Sequence, residues 1–111
     1  MIFLPIHTKT KDNQRGHWSK KHKDAATERS TAFWAVKALT SRPAFPVKVT
    51  ITRCGPRRLD RQNLGSALKS IVDGIADAYG VDDGDERWEF VFTQKQQMLY
   101  GVDIKIEALK K

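Results

Sequence analysis

Asp60, Asp82, Asp83 and Asp85 are the side chains with the clearest capacity for chemistry in this sequence. They lie within LDRQNLGSALKSIVDGIADAYGVDDGD, residues 59 to 85. Carboxylates are the hard oxygen donors that Mg²⁺ takes, and Mg²⁺ needs only one or two of them because it keeps waters in its other positions. A basic surface that brings phosphate to such ions is the layout of metal-assisted phosphodiester hydrolysis. Arg57, Arg58 and Arg61 flank Asp60 and are candidates for that phosphate contact. Each carboxylate also has a plainer reading. Asp60 stands at a strand-to-helix turn, where Asp is a good N-cap, and Asn63 would serve similarly. Asp82-Asp83-Gly84-Asp85 reads equally as a solvated turn.

A second basic group lies upstream. Arg15, His17, Lys20, Lys21 and Lys23 cluster with His22 beside Trp18. This is either a phosphate-contacting arm, with the indole stacking on a base or packing on the domain, or a solvated helix start. His7, His17 and His22 lack zinc spacing, and Cys54 is the sole cysteine, so a zinc site is not expected. Cys54 sits in apolar alternation and reads as a buried structural thiol. One cysteine permits no intrachain disulfide, which suits a reducing compartment. Trp34 and Trp88 read as packing residues. No glycine-rich phosphate loop or nucleophile elbow is present.

These residues need elements to hold them. The chain has 111 residues, enough for one domain, 1–111, and too few for two. Its net charge is +7, divided unevenly. Residues 1–58 hold 13 Lys and Arg against 3 acids, and residues 59–111 hold 7 against 10. A basic half followed by an acidic half fits one part that holds phosphate and another that holds something attracted to carboxylates. Ile2 to Ile6 predicts a short strand. Residues 8–23 are polar and basic, an arm that turns into helix near Ser19. Asp24 to about Leu39 predicts a helix with Ala25, Ala26, Arg29, Phe33, Val36 and Leu39 near one face, ended by Arg42-Pro43. Val47, Val49 and Ile51 alternate as a half-buried strand. Gln62 to Tyr79 predicts a second helix, with Gly80 as its C-cap. Trp88, Phe90 and Phe92 form a third strand. Val102, Ile104 and Ile106 form a fourth, expected to make a hairpin with the third. The order β-α-β-α-β-β implies an α+β fold, a two-layer domain with a four-stranded mixed sheet and helices on one face. No apolar run approaches the ~18 residues of a membrane span, and the chain reads as cytosolic.

Three pieces of the 59–85 stretch, taken in order, resemble the core of RusA-type Holliday junction resolvases, in particular the phage-borne branch. They are Asp60-Arg61-Gln62-Asn63-Leu64, Lys69 through Asp73-Gly74-Ile75, and Gly80-Val81-Asp82-Asp83. The early segment with Asn13, His17 and Trp18 is similar to the arms of such proteins, so the resemblance covers most of the chain. It implies a homodimeric endodeoxyribonuclease that resolves four-way DNA junctions by paired nicks, with Mg²⁺ at clustered aspartates and a place in DNA recombination and repair. Asp60 matches the first catalytic aspartate. Asp82 and Asp83 match the later acidic pair, with Asp83 the stronger candidate. Asn63 and Lys69 match polar residues of the motif helix, and Lys69 or a nearby arginine would stabilise phosphate charge in the reaction.

The chain departs from the family pattern twice. Gln62 stands where a second catalytic aspartate is expected, and an amide oxygen offers a metal no charge. The family lysine falls on Ser66, and Lys69 comes three residues later, about 300° round the helix and about 4.5 Å along it. A catalytically weak or inactive branched-DNA-binding relative is therefore the alternative, and an unrelated nucleotide phosphohydrolase is a third class. A helix from 62 to 79 would be about 27 Å long, too far for Asp60 and Asp82 to share ions about 4 Å apart. Either the chain bends near Gly74, or two such helices pair antiparallel about a dimer two-fold, so that Asp60 of one chain meets Asp82 and Asp83 of the other.

Overall fold

The computed structural model describes residues 2–6 and 18–109, with the side chains of 18–24 outside the description. Its elements are β1 (Ile2–Leu4), α1 (Trp18–Lys37), β2 (Val47–Gly55), α2 (Arg61–Tyr79), β3 (Trp88–Gln96) and β4 (Gly101–Ala108). They form an α+β fold with one mixed four-stranded sheet in the order β1-β4-β2-β3. No described helix is long and apolar enough to cross a membrane.

β2 organises the sheet. It pairs in parallel with β3, Val47 beside Trp88 through Gly55 beside Gln96. On its other side it pairs antiparallel with β4, Val47 beside Ala108 through Cys54 beside Gly101. The expected β3–β4 hairpin is therefore not formed. Four residues join the two strands in sequence, but β2 lies between them. The alternating patterns of β3 and β4 reveal which face each buries, not which neighbour each takes.

Val47, Val49 and Ile51 of β2, with Val102 and Ile104 of β4, turn one sheet face into the core. Leu64, Leu68, Ile71, Val72 and Ile75 of α2 and Ala32 and Val36 of α1 cover that face. Phe45, Tyr79, Trp88 and Phe90 close one end of the core, with Trp88 edge-on to Phe45 and Tyr79 at centroid distances of 4.8 and 5.1 Å. Trp88 thus packs as expected, but Trp34 does not. It stands 66% exposed on α1, touching Phe33 edge-on. The buried stripe of α1 is rotated from the expected one and includes Glu28, whose carboxylate accepts a hydrogen bond from the Ser70 hydroxyl. Arg29 and Ala26 are exposed. An apolar pattern cannot reveal a buried charge that is satisfied by a partner on another helix.

α1 and α2 approach closely at Gly74. A Cβ there would collide with the Arg29 carbonyl oxygen and lie 2.9 Å from the Ala32 Cβ. α2 is continuous through this position, so the glycine serves helix contact and not a bend. Gly80 ends the helix in the left-handed region at φ 70°, and Val81 donates its N–H to the Ala76 carbonyl. Gly74→Ala should therefore cost roughly 2–3 kcal/mol, because backbone must move to admit the methyl. Gly65→Ala, on the same helix with nothing within 4 Å of its added carbon, should gain about 0.5–1 kcal/mol. Urea unfolding of the two variants beside the parent checks the contrast, and equal effects would remove the close-contact role of Gly74.

Candidate functional site

The candidate residues divide between the two ends of α2. At its N-terminus Asp60 is the N-cap. One carboxylate oxygen accepts the Asn63 N–H at 2.8 Å, and the other accepts the Asn63 side-chain amide at 3.0 Å. The loop that delivers Asp60 is tied to the sheet. Gln94 on β3 accepts the Leu59 N–H at 2.8 Å and donates back to the Leu59 carbonyl at 2.7 Å. On β2, Arg53 donates to the Arg57 carbonyl at 2.5 Å. Asp60 and Gln62 are exposed, as are Arg57, Arg58 and Arg61. None of these three arginines makes an ion pair with a described residue. This end thus carries one exposed carboxylate among three guanidinium groups, at a helix N-terminus whose dipole also favours anions.

The other end of α2 is acidic and largely neutralised from within. Asp73, Asp77, Asp82 and Asp83 line a cleft of about 330 Å³ with Arg29 and Gly80. Lys69 reaches along the helix and donates to Asp73 at 2.9 Å and to Asp83 at 3.0 Å. Those two carboxylates raise the lysine pKa, and Lys69 in turn holds the Asp83 carboxyl below its ordinary value. Arg29 of α1 grips Asp77 with two hydrogen bonds of 2.6 and 2.9 Å, which lowers the Asp77 pKa. Asp82 accepts the Gly84 N–H at 3.1 Å, a turn-forming contact. Asp85 is held at about 2 by the Arg87 guanidinium.

Lys69 therefore belongs with Asp73 and Asp83, not with Asp60 and Asn63. Arg29 and Asp77, absent from the sequence-predicted set, complete this cluster. Lys69, Asp73 and Asp77 recur at four-residue steps, the one sequence signal that places them on a common helix face. Arg29 comes from another helix and carries no such signal. Cys54 is buried, and burial raises its thiol pKa, as for an unreactive thiol. Arg15 and His17 lie outside the described residues. Lys20, Lys21 and Lys23 fall on the first turns of α1, where side chains are not described.

The nineteen residues of α2 put about 28 Å between its ends, so one chain does not bring Asp60 to Asp82 and Asp83. Among the described residues no group of three or more His, Cys, Asp or Glu side chains is placed to hold a metal. The carboxylates of a single chain thus do not fit the full Mg²⁺ ligand set that the sequence suggests. Comparisons of the chain with protein-family models, curated proteins and solved structures give no match.

The ion pairs of this cluster have a pH signature. Asp77 and Asp83 titrate lower in the folded chain than in the unfolded one. Their contribution is complete above the unfolded carboxylate pKa near 4 and is lost as pH falls through the lower folded values. Both pairs are partly exposed, so screening keeps the contribution of each below about 1 kcal/mol. Asp77→Asn should lower stability at pH 7 by about that much and have no effect near pH 2. Chemical unfolding at the two pH values checks it; an equal loss at both would assign the effect to packing.

Proposed function

We propose that the chain is a Mg²⁺-dependent endodeoxyribonuclease acting on four-way DNA junctions as a homodimer, with Asp60 of one protomer and Asp82 and Asp83 of the other holding the ion. The observation that carries this reading is the N-terminal end of α2. An exposed, rigidly capped carboxylate stands there among Arg57, Arg58 and Arg61, none of them in an ion pair with a described residue. Phosphate is drawn to the arginines and the helix end, and the carboxylate is then beside it. Mg²⁺, when bound, would supply a polarised water. Asp60 would orient the ion, the arginines would hold the phosphodiester, and Lys20, Lys21 and Lys23 would extend the contact along the DNA. The acid cluster keeps Lys69 away from phosphate, so charge stabilisation in the reaction falls to the arginines rather than to Lys69.

A binding protein with little or no cleavage is the second reading, and Gln62 favours it. Its side chain is exposed and makes no hydrogen bond to a described residue, so nothing in the fold explains an amide there. A synthetic four-way junction and a matched duplex, each with Mg²⁺ and with EDTA, separate the readings. Cleavage of the junction that EDTA abolishes supports the nuclease. Tight junction binding without cleavage supports the alternative, and equal weak binding of both substrates would sink both readings.

Two outcomes follow from the charge placement. Junction affinity should fall steeply with salt as counterions are released, and replacing Lys20, Lys21 and Lys23 by Ala should reduce the log–log slope by up to about 3. An unchanged slope would remove these lysines from the DNA surface. Asp60→Asn should abolish cleavage and leave folding and junction binding intact, because Asn is as good an N-cap as Asp. Gln62→Asp should raise Mg²⁺-dependent cleavage, since it adds a full charge beside a hard dication at a helix start that tolerates acids. No change across a Mg²⁺ titration would show that position 62 is not a ligand.

A further inference from the structure

The two edges of the sheet are treated differently. β1 is three residues long, the short edge by which sheets commonly avoid pairing with other chains. β3 at the opposite edge has nine residues, WEFVFTQKQ, no proline, and no described strand beyond it. A strand of that length offers about 30 Å of edge whose outward backbone donors and acceptors have no strand partner among the described residues. Its side chains are apolar for an exposed edge. Phe92 is 38% exposed, and Phe90 and Val91 are only half-buried. Beside Phe92 lies an open hollow of about 440 Å³ lined by Arg58, Leu59, Arg61, Leu64, Thr93 and Gln94.

We infer that β3 is a dimer edge, pairing antiparallel with β3 of a second copy about a two-fold axis through Phe92. The strand is complementary to itself in one register. Phe92 is its midpoint, so this register pairs all nine residues, Trp88 with Gln96 of the second copy and Glu89 with Lys95. The Glu89–Lys95 contact then occurs twice by symmetry, and neither residue has an ion-pair partner among the described residues. Lys48 on β2 stands beside Glu89 in the sheet without reaching ion-pair distance. Centring the axis one residue earlier sets Arg87 against Lys95, like charges that disfavour it. Centring it one residue later leaves Lys95 opposite Val91. In the Phe92 register residues of equal parity face each other, so both core faces lie on one side of a continuous eight-stranded sheet. Phe92 of each copy meets its counterpart over the hollow beside Leu64.

This pairing rests on the strand alone, while its consequence for the site rests on the nuclease reading. β3 starts beside the acidic loop, where Trp88 donates its N–H to the Asp85 carbonyl at 3.2 Å. It ends beside the Asp60 loop, through the Gln94–Leu59 contacts. Antiparallel pairing thus brings Asp60 of one copy to the same end of the joined sheet as Asp82 and Asp83 of the other. One chain cannot do this.

Sedimentation equilibrium without DNA or Mg²⁺ should give about twice the 12.6 kDa chain mass at micromolar concentration. Lys95→Glu should weaken the dimer roughly tenfold, because two attractive pairs become two repulsive ones. Adding Glu89→Lys to it should restore the affinity. A second measurement reads the register. In a Cys54→Ala background, Glu89→Cys with Lys95→Cys should give a covalent dimer on mild oxidation, since opposed antiparallel residues lie within disulfide reach. Glu89→Cys with Thr93→Cys should not. A monomeric parent, a dimer indifferent to Lys95→Glu, a double charge variant as weak as the single one, or cross-linking only through position 93 would each overturn the proposal. An intact β3 dimer that fails to cleave junctions would sink the nuclease reading and leave this one standing, and a monomer that cleaves them would do the reverse.

Discussion

The parallel pairing of β2 with β3 is the constraint from which the arrangement of the candidate site follows. Two parallel neighbours cannot be joined by a tight turn, and the chain must travel back along the sheet before starting the second strand. α2 is that return path. Its length is therefore matched to the strands it connects, and whatever lies at its two ends is held at opposite ends of the domain. Asp60 precedes the helix and Asp82 follows it, so the same pairing that builds the core separates the carboxylates. The close contact at Gly74 and the apolar stripe from Leu64 to Ile75 then hold α2 straight across the sheet. No local rearrangement of a loop closes a gap of about 28 Å without undoing that packing.

The separation also sorts the charges. At the C-terminal end, Lys69 and Arg29 are drawn in by Asp73, Asp77 and Asp83, and each cation is engaged by carboxylates of its own domain. At the N-terminal end, Asp60 turns both oxygens toward Asn63 and leaves Arg57, Arg58 and Arg61 without an ion-pair partner among the described residues. The uneven charge along the sequence thus becomes a difference in availability. Basic groups beside Asp60 face solvent and can meet an anion without first breaking an internal ion pair. Lys69 would have to leave two carboxylates to do so.

Much of the fold was legible because it depends on local patterns. Leu64, Leu68, Ile71 and Ile75 recur at helical spacing, and Val47, Val49 and Ile51 alternate, so α2 and β2 follow from periodicity with small boundary differences. Gly80 marks its helix end because a left-handed residue was needed there. The neighbour of β3 was not legible, since strand pairing is set by the crossover and not by the alternation of β3 itself. Glu28 was missed for a related reason. Its burial is made tolerable by Ser70, forty-two residues away, and no window along the sequence contains both. The site was legible by residue type but not by partner. Asp73 and Asp83 were visible as carboxylates, whereas their link through Lys69 depends on how the loop after Gly80 folds back.

Asp60 illustrates why a structural role and a ligand role need not compete. Read from sequence, the N-cap and the metal ligand were alternatives. A carboxylate has about four lone-pair positions, and the two hydrogen bonds from Asn63 occupy one on each oxygen. The others remain open on an exposed side chain. The cap bonds fix the carboxylate plane relative to the helix, so its rotamer need not be ordered when a cation arrives. Gln94 does the same for the backbone behind it, by clamping Leu59 from both its N–H and its carbonyl. A ligand supported in this way loses little conformational freedom on binding, which is the advantage of building a site from a helix cap rather than from a free loop. The support comes from β3, the edge strand that has no described strand beyond it. Any partner that pairs with β3 would therefore act on the position of Asp60 through Gln94, without touching the carboxylate itself.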